Sequence, residues 1–588
     1  MSVTVADFLV TRLSEWGVKR IFGYPGDGID GIIGALARAR DKIEFLQVRH
    51  EEMAAFMACG HAKYTGTVGT CLATSGPGAA HLLAGLYDAK LDRQPVVAIV
   101  GQAARSAIGG HYQQEIDLLS LFKDVAHEYV QMVTTPTQLR HVIDRAYRTA
   151  IALRTPTCII LPLDVQELAA EDPQRAHNTV HSGVGYSPPR VVPTRDDLQR
   201  AAAVLNAGER VAMLIGAGAA GAATYVLEVA DVLGAGIAKA LLGKPVLPDA
   251  LSNVTGGIGL LGTAATHEMM TGCDTLLMVG SSFPFGEFLP EEGAARGVQI
   301  DINPGILGLR YPMEVNLVGD SAETLRALLP LLERKSDRAW QEKVERDIVK
   351  WWDTLERRAM KDAEPLNPQR VFWELSPRLP DRAMLACDTG STVYWYSRDL
   401  KLREGMLAAH SGSLASMGAA MPYAIAAKFA YPDRVAIALV GDGAMQMNGL
   451  NEMITVARYW RTWTDPRFVV LVMNNRDLNM VSWEQRVLQG DPKFSVSQDL
   501  PDFSYAAFAK QLGFESVVVD NPAALGEAWR MAFDCNRPVL VEAIVDPNVP
   551  PLPPQITAQQ ARNYLMAILK GDPDAYKVVK ASLSQWFA

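Results

Sequence analysis

The strongest constraint on this chain lies in residues 434–477. Residues 434–440 form a short apolar run with β-branched side chains, which predicts a buried parallel strand. Gly441, Asp442 and Gly443 follow as a turn, residues 445–460 have helical periodicity, and 467–473 predict a second buried strand ending on Asn474 and Asn475. Asp442 and Asn475 therefore fall at the carboxyl ends of neighbouring parallel strands, where open α/β sheets bind ligands. Two hard oxygen ligands facing a helix N-terminus suit a magnesium ion carrying a diphosphate, and the glycines allow close backbone approach.

The surrounding chain predicts α/β architecture throughout. With 588 residues it is long enough for three or four domains. Residues 1–180 alternate helical and strand patterns, with strands expected at 20–23, 44–48, 67–73, 96–100 and 157–161. A polar stretch at 168–194 reads as a linker. A second unit spans 195–335 with strands at 211–215, 275–279 and 297–302, and a charged segment at 335–365 reads as a connecting surface helix. The third unit covers 366–548. Prolines at 549–554 then precede a tail, 555–588. The predicted fold class is α/β, three doubly wound parallel-sheet domains plus the tail.

A net charge of -9 argues against nucleic-acid partners. Six cysteines without metal-ligand spacing predict buried free thiols. The opening residues lack a basic run, so no secretory leader is expected and the expected location is the cytoplasm. Uncharged runs at 64–87 and 405–427 carry too many Gly, Ser, Pro and His residues for membrane helices.

Taken together, Gly441-Asp442-Gly443, the helix and the Asn pair resemble the cofactor signature of thiamine-diphosphate enzymes. The resemblance extends along the chain. In the first unit it rests on Pro25 and Gly26, on His50-Glu51-Glu52, on Thr74-Ser75-Gly76-Pro77-Gly78 and on Gln94-Pro95; in the third, on Asp388-Thr389-Gly390-Ser391-Thr392 and Ser416-Met417-Gly418. One departure is an interval longer than the family's, with the excess at 461–467.

The resemblance implies three domains binding the pyrimidine, a nucleotide and the diphosphate in turn. It implies that Glu51 hydrogen-bonds N1′ of the aminopyrimidine, favouring the tautomer whose N4′ takes the proton from C2 of the thiazolium. Glu51 and Glu52 differ by about 100° round a helix, so only one can face the ring. It also implies diphosphate contacts at Gly390, Ser391 and Thr392, and a bulky Met417 between Ser416 and Gly418 that holds the cofactor bent. Plain core packing fits Met417 equally well. Asp442, Asn475 and the carbonyl of Asp477 match the magnesium ligands.

In the central unit, Gly216-Ala217-Gly218-Ala219-Ala220-Gly221 spells GxGxxG, but no acidic residue ends the next strand, so a NAD site is doubtful. Leu260-Leu261-Gly262, Gly280-Ser281-Ser282-Phe283-Pro284 and Asp301 resemble FAD-binding segments of pyruvate oxidases and acetohydroxyacid synthases. Some relatives keep this domain without flavin.

Two branches of the family compete. His81 to Asp88 and Pro551 to Thr557 resemble quinone-linked pyruvate oxidases, whereas Gln446-Met447-Asn448 and Met480-Val481 resemble acetohydroxyacid synthases. Gln113, Gln114 and Met480 fall on the expected substrate side. The expected function is thiamine- and magnesium-dependent decarboxylation of a small 2-oxo acid, pyruvate first, with electrons passed to FAD. A non-oxidative carboligase and a catalytically silent flavin- or nucleotide-binding regulator are the alternatives.

Analogy implies a homodimer or homotetramer with the cofactor between chains. In the tail, Tyr576, Val579, Leu583, Trp586 and Phe587 recur at helical spacing near Lys577 and Lys580, a pattern that can rest on the inner face of an anionic membrane and reach quinone. It fits a helix packed on its own protein as well.

Overall fold

A computed structural model describes residues 3–586. Its three parallel six-stranded sheets correspond to the three units. The first holds β1 (Arg20–Gly23), β2 (Glu44–Gln47), β3 (Gly69–Ala73), β4 (Val96–Gln102), β5 (Val130–Met132) and β6 (Pro156–Pro162), in the order β2-β1-β3-β4-β6-β5. The central sheet holds β7 (Val211–Ile215), β8 (Gly236–Lys239), β9 (Val254–Gly257), β10 (Thr275–Val279), β11 (Arg296–Asp301) and β12 (Val315–Val318), ordered β12-β11-β10-β7-β8-β9. The third holds β13 (Met384–Cys387), β14 (Leu407–His410), β15 (Ala436–Gly441), β16 (Phe468–Asn474), β17 (Glu515–Val519) and β18 (Val539–Ile544), ordered β14-β13-β15-β16-β18-β17.

Strands such as β4, β7 and β16 are buried along their whole length, as apolar runs covered by helices on both faces must be. The short edge strands β5, β9 and β12 were not foreseen. They carry Gln131, two glycines and an exposed Asn316 in place of a continuous apolar run.

Between β3 and β4 the chain forms two helices, Pro77–His81 and Leu83–Leu91. The connecting segment is the Ala339–Ala359 helix, and it does more than lie on the surface. Trp340 and Trp351 are buried in the central unit's core, with the charged residues on the opposite face. Similarly, the excess loop at 461–467 is anchored by buried Trp463, which stacks on Phe468 with ring centroids 5.7 Å apart.

The first and third units share one core. The Glu51–Thr65 helix lies along the Ala420–Ala430 helix, and Phe56, Met57, Tyr423 and Ile425 are fully buried between them. Each such side chain contributes about 1.5–3 kcal/mol. The central unit keeps its own cores and reaches the third both through Leu241, Leu260 and Leu261, which pack on the third unit's core, and through Arg398, whose guanidinium donates to the carbonyls of Leu260 and Gly262. All six cysteines are free, five buried and Cys535 half-buried. Among the described residues no helix is long and apolar enough to cross a membrane.

The tail forms the helices Ala558–Leu569 and Ala575–Trp586. The buried residues of the second are Val578 and Gln585, so Tyr576, Leu583 and Trp586 of the expected stripe face outward; Phe587 lies outside the described residues.

Candidate active site

The third sheet reverses its strand order between β13 and β15, and the candidate diphosphate residues collect at that switch point. Gly390 follows β13 with φ 107°, and the space where a Cβ would project is open. It precedes the Ser391–Arg398 helix, whose first amides point at the crevice; Thr392 is buried one residue in. A Cβ on Gly441 would meet the Thr392 hydroxyl at 3.4 Å, and one on Gly443 would meet Leu478 at 2.8 Å and the Met417 methyl at 3.2 Å. The candidate cradle residues after β13, before the Ala420–Ala430 helix and after β15 are thus adjacent.

Asp442 is buried at the start of the helical segment after β15. Its carboxylate accepts from the amides of Gly443 at 2.9 Å, Asn475 at 2.9 Å and Arg476 at 2.6 Å. Burial pushes its pKa up to about 7 against these donors, and the Asp477 charge adds to the rise. No side-chain cation pairs with it among the described residues, so a divalent ion would supply the missing countercharge. Asn475 holds the Asp477 amide at 3.0 Å through its side-chain oxygen. The Asp477 carboxylate is turned away to Ser482 at 2.7 Å and Lys493 at 3.1 Å, consistent with its main-chain carbonyl being the candidate ligand. Asn474 is engaged elsewhere, donating to Glu542 at 2.8 Å. This donor set fits a magnesium diphosphate.

In the first unit, loops after β1 and β3 close round Glu51. A Cβ on Gly26 would strike Thr74 at 2.7 Å; one on Gly78 would strike Thr74 at 2.8 Å and come within 3.1 Å of the Glu51 carboxylate. Pro25 sits exposed at the rim. Glu51, 8% exposed, occupies the first turn of its helix, which the His50 ring caps by accepting the Glu52 amide. Its carboxylate lies 2.9 Å from Nδ1 of His81, whose ring lies tilted against that of His50 with centroids 4.4 Å apart. Glu52 points instead to the third unit, accepting from Asn448 at 3.4 Å. The two acids are separated as helix geometry requires. No hydrogen bond joins Glu51 to a third-unit residue among the described residues.

Gln114, in the left-handed region with φ 63°, accepts from Ser75 at 3.0 Å and so stands over the Thr74–Gly78 loop; Gln113 beside it is exposed. Met480 lies on the third unit, half-buried with Leu260 and Leu261 against the core there.

The central sheet, counted from β7 and read from the β9 edge, runs 3-2-1-4-5-6, the order of dinucleotide-binding sheets. Its switch point lies between β7 and β10. The Gly218 amide donates to the Gly280 carbonyl at 3.0 Å there, and a Cβ on Gly218 would overlap Gly280. Ser281 and Phe283 are buried, Ser282 and Pro284 exposed. Gly259, just before Leu260, Leu261 and Gly262, packs on the Phe283 ring. Asp301 ends the adjacent β11, accepts from the Asn303 amide at 2.9 Å, and has its pKa raised by burial. An acceptor and a crevice of this kind fit a dinucleotide such as FAD.

The structure adds two side chains to those the sequence singles out. Asp388 ties the β13 loop to Gly418 and Ala420 by accepting their amides at 2.8 and 3.2 Å. His81, which the sequence offers only within a stretch resembling one branch of the family, meets the Glu51 carboxylate.

Comparison with known proteins agrees with this geometry. The N-terminal thiamine pyrophosphate binding domain matches residues 3–121, the thiamine pyrophosphate enzyme central domain 198–328, and the C-terminal thiamine pyrophosphate binding domain 388–543. The chain is 35% identical to YdaP of Bacillus subtilis, described as thiamine pyrophosphate-containing, over 99% of this chain and 98% of that protein. It is 28% identical to the pyruvate oxidase of Lactiplantibacillus plantarum over 91% and 88% of the two chains. It is 29% identical to the Escherichia coli acetolactate synthase isozyme 3 large subunit over 94% and 96%. The chain belongs to the thiamine pyrophosphate enzyme family, with kin on both its pyruvate oxidase and its acetolactate synthase branches.

Proposed function

We propose that the chain decarboxylates a small 2-oxo acid, pyruvate first among them, using thiamine diphosphate and magnesium and passing electrons to FAD. The observation that carries the oxidative reading is the dinucleotide strand order of the central sheet, with the expected flavin segment Gly280 to Pro284 at its switch point. When bound, thiamine diphosphate supplies the electron sink for loss of carbon dioxide. Glu51 holds a proton at N1′, oriented by His81. Asp442, Asn475 and the Asp477 carbonyl hold the ion. Met417 supports the bend, and Gln113, Gln114 and Met480 line the substrate side. A homodimer or homotetramer is proposed, with Glu51 of one chain serving Asp442 of another; the family resemblance supports this. The outward stripe on the tail supports a cytoplasmic protein that meets the membrane and quinone peripherally.

The second reading, a non-oxidative carboligase, is favoured by Asn448, which belongs to the acetohydroxyacid-synthase-like stretch and bonds Glu52. The purified protein should show a flavin absorption band and, with pyruvate and an artificial acceptor, yield acetate. Acetolactate without acceptor reduction would establish the carboligase instead, and neither product would defeat both.

A further inference from the structure

The seam between the first and third units holds a buried charge cluster with no part in the chemistry above. Asp88 lies in the Leu83–Leu91 helix, Asp92 caps its end, and Lys63 comes from the far end of the helix that Glu51 begins. Lys63 donates to Asp92 at 2.7 Å, to the His410 carbonyl at 2.6 Å and to the Tyr423 hydroxyl at 2.8 Å. Tyr423 donates to Asp88, as does Cys59 at 3.2 Å. One lysine thus faces two carboxylates, and the remaining acceptor positions look toward the chain segment 411–418.

That segment joins β14 to the Ala420–Ala430 helix and carries Met417. Its first half is anchored by the first unit. The Ser411 hydroxyl donates to Asp88 at 2.6 Å, and the amides of Gly412 and Ser413 donate to the two oxygens of Asp92, each at 2.8 Å. The Ser411 oxygen in turn accepts the Ser416 amide at 2.9 Å, folding the segment back with Ala415 at φ 53°. The far end is held by Asp388 through Gly418. Met417 sits between the two anchors, its methyl beside Gly443.

We infer that Asp88 and Asp92 are positioning residues for the cofactor: through Ser411 and the Gly412 and Ser413 amides they fix where Met417 stands. This deepens the thiamine-site reading of Met417 and rests on it. Carboxylates of one unit satisfy loop amides of another, so the loop's conformation depends on the seam. Cys59 gives an internal control, because it touches the same Asp88 carboxylate but not the loop.

The test strips the full-length protein of cofactor and titrates thiamine diphosphate at fixed magnesium, reading Kd by calorimetry and the bound aminopyrimidine by near-ultraviolet circular dichroism. Ser411→Ala is expected to weaken binding about tenfold, the lower end for a group acting through a ligand's support, and to change the dichroism. Ser411→Thr should restore both. Cys59→Ala should bind as the parent does, with at most a lower Tm. Asp92→Asn, which weakens the hold on Gly412 and Ser413, is the second variant and is read in the same way. Equal Kd and dichroism in the parent, Ser411→Ala and Asp92→Asn would overturn the inference. So would equal weakening by Ser411→Ala and Cys59→Ala. If the parent itself binds no thiamine diphosphate, the functional reading falls and takes the inference with it.

Discussion

The first and third units are the same sheet used twice. Counted within each unit, both run 2-1-3-4-6-5, and both reverse order between their first and third strands. Topology therefore supplies two equivalent crevices, and side chains decide what each receives. The third unit places Asp388 and Asp442 at its switch point, both buried, both with pKa values pushed to about 7, and loops that enter the left-handed region at Gly390 and Gly418. That crevice suits a metal and phosphates. The first unit places Thr74 and small residues there, with one carboxylate, Glu51, arriving from beside the switch point on the helix after β2. That crevice suits a neutral ring with one hydrogen bond to give or take.

Exchanging the chemistry of the two crevices separates their roles. Glu51→Gln should bind thiamine diphosphate within a few-fold of the parent yet lose turnover by about 10²–10⁴-fold, the range for a positioned acid–base group. Steady-state kinetics beside calorimetric titration would show it; near-parental turnover would transfer the role to Glu52. Asp442→Ala should do the reverse. Its apparent affinity for magnesium and cofactor should fall by at least about a hundredfold, with turnover recovering partly at saturating magnesium. Chelation should likewise lower the Tm of the parent loaded with cofactor while leaving that of Asp442→Ala unmoved. An unchanged titration in the variant would remove Asp442 from the metal site.

How much of this contrast was legible depended on whether the signal was local. Buried strands such as β15 and β16 announce themselves as apolar runs, and Asp442 and Asn475 follow from their ends. The divergence of Glu51 and Glu52 follows from helix geometry alone, and the structure shows it. Strand order is not written in any run of residues, so the different order of the central sheet emerged only in three dimensions. The same holds for partners far apart in the chain: Asp388 with Gly418, His81 with Glu51, Asp88 with Ser411. Nor does a motif fix its own use. The glycines at 216–221 match a phosphate-binding pattern, yet Gly218 is small because Gly280 backbone lies against it.

A smaller effect is expected where the residues proposed for the substrate side differ in freedom between the two units. Gln113 is exposed, so Gln113→Phe should fold normally and shift the kcat/KM ratio of pyruvate to a longer 2-oxo acid by about tenfold, as one apolar contact does. Met480 is half-buried against the third unit's core. Met480→Phe should shift the ratio less and cost about 1–3 kcal/mol of stability through overpacking. Unchanged ratios in both variants would mean that the pocket lies elsewhere.

The third unit differs from the first in one further respect: the tail packs on it. Arg486, 1% exposed on its side chain, pairs with Asp572 at 2.8 and 3.0 Å, and Lys570 donates to the Gly490 carbonyl at 2.9 Å. The tail's inner edge is therefore structural, while Tyr576, Leu583 and Trp586 remain 80%, 54% and 58% exposed. Cutting the chain after Pro554 would strand Arg486 without its partner, at a cost of about 3–5 kcal/mol. Lost membrane binding in such a chain would then say nothing about the stripe. Tyr576→Ser with Trp586→Ser changes only the outward face and should alter stability by no more than about 0.5 kcal/mol. If the stripe meets lipid, the parent should sediment with anionic vesicles more strongly in pyruvate than without it, by a few-fold, and the double variant should lose that increment while keeping its Tm. Equal sedimentation of both proteins, with and without pyruvate, would leave the tail as a brace for the segment that carries Asp477 and Met480, and nothing more.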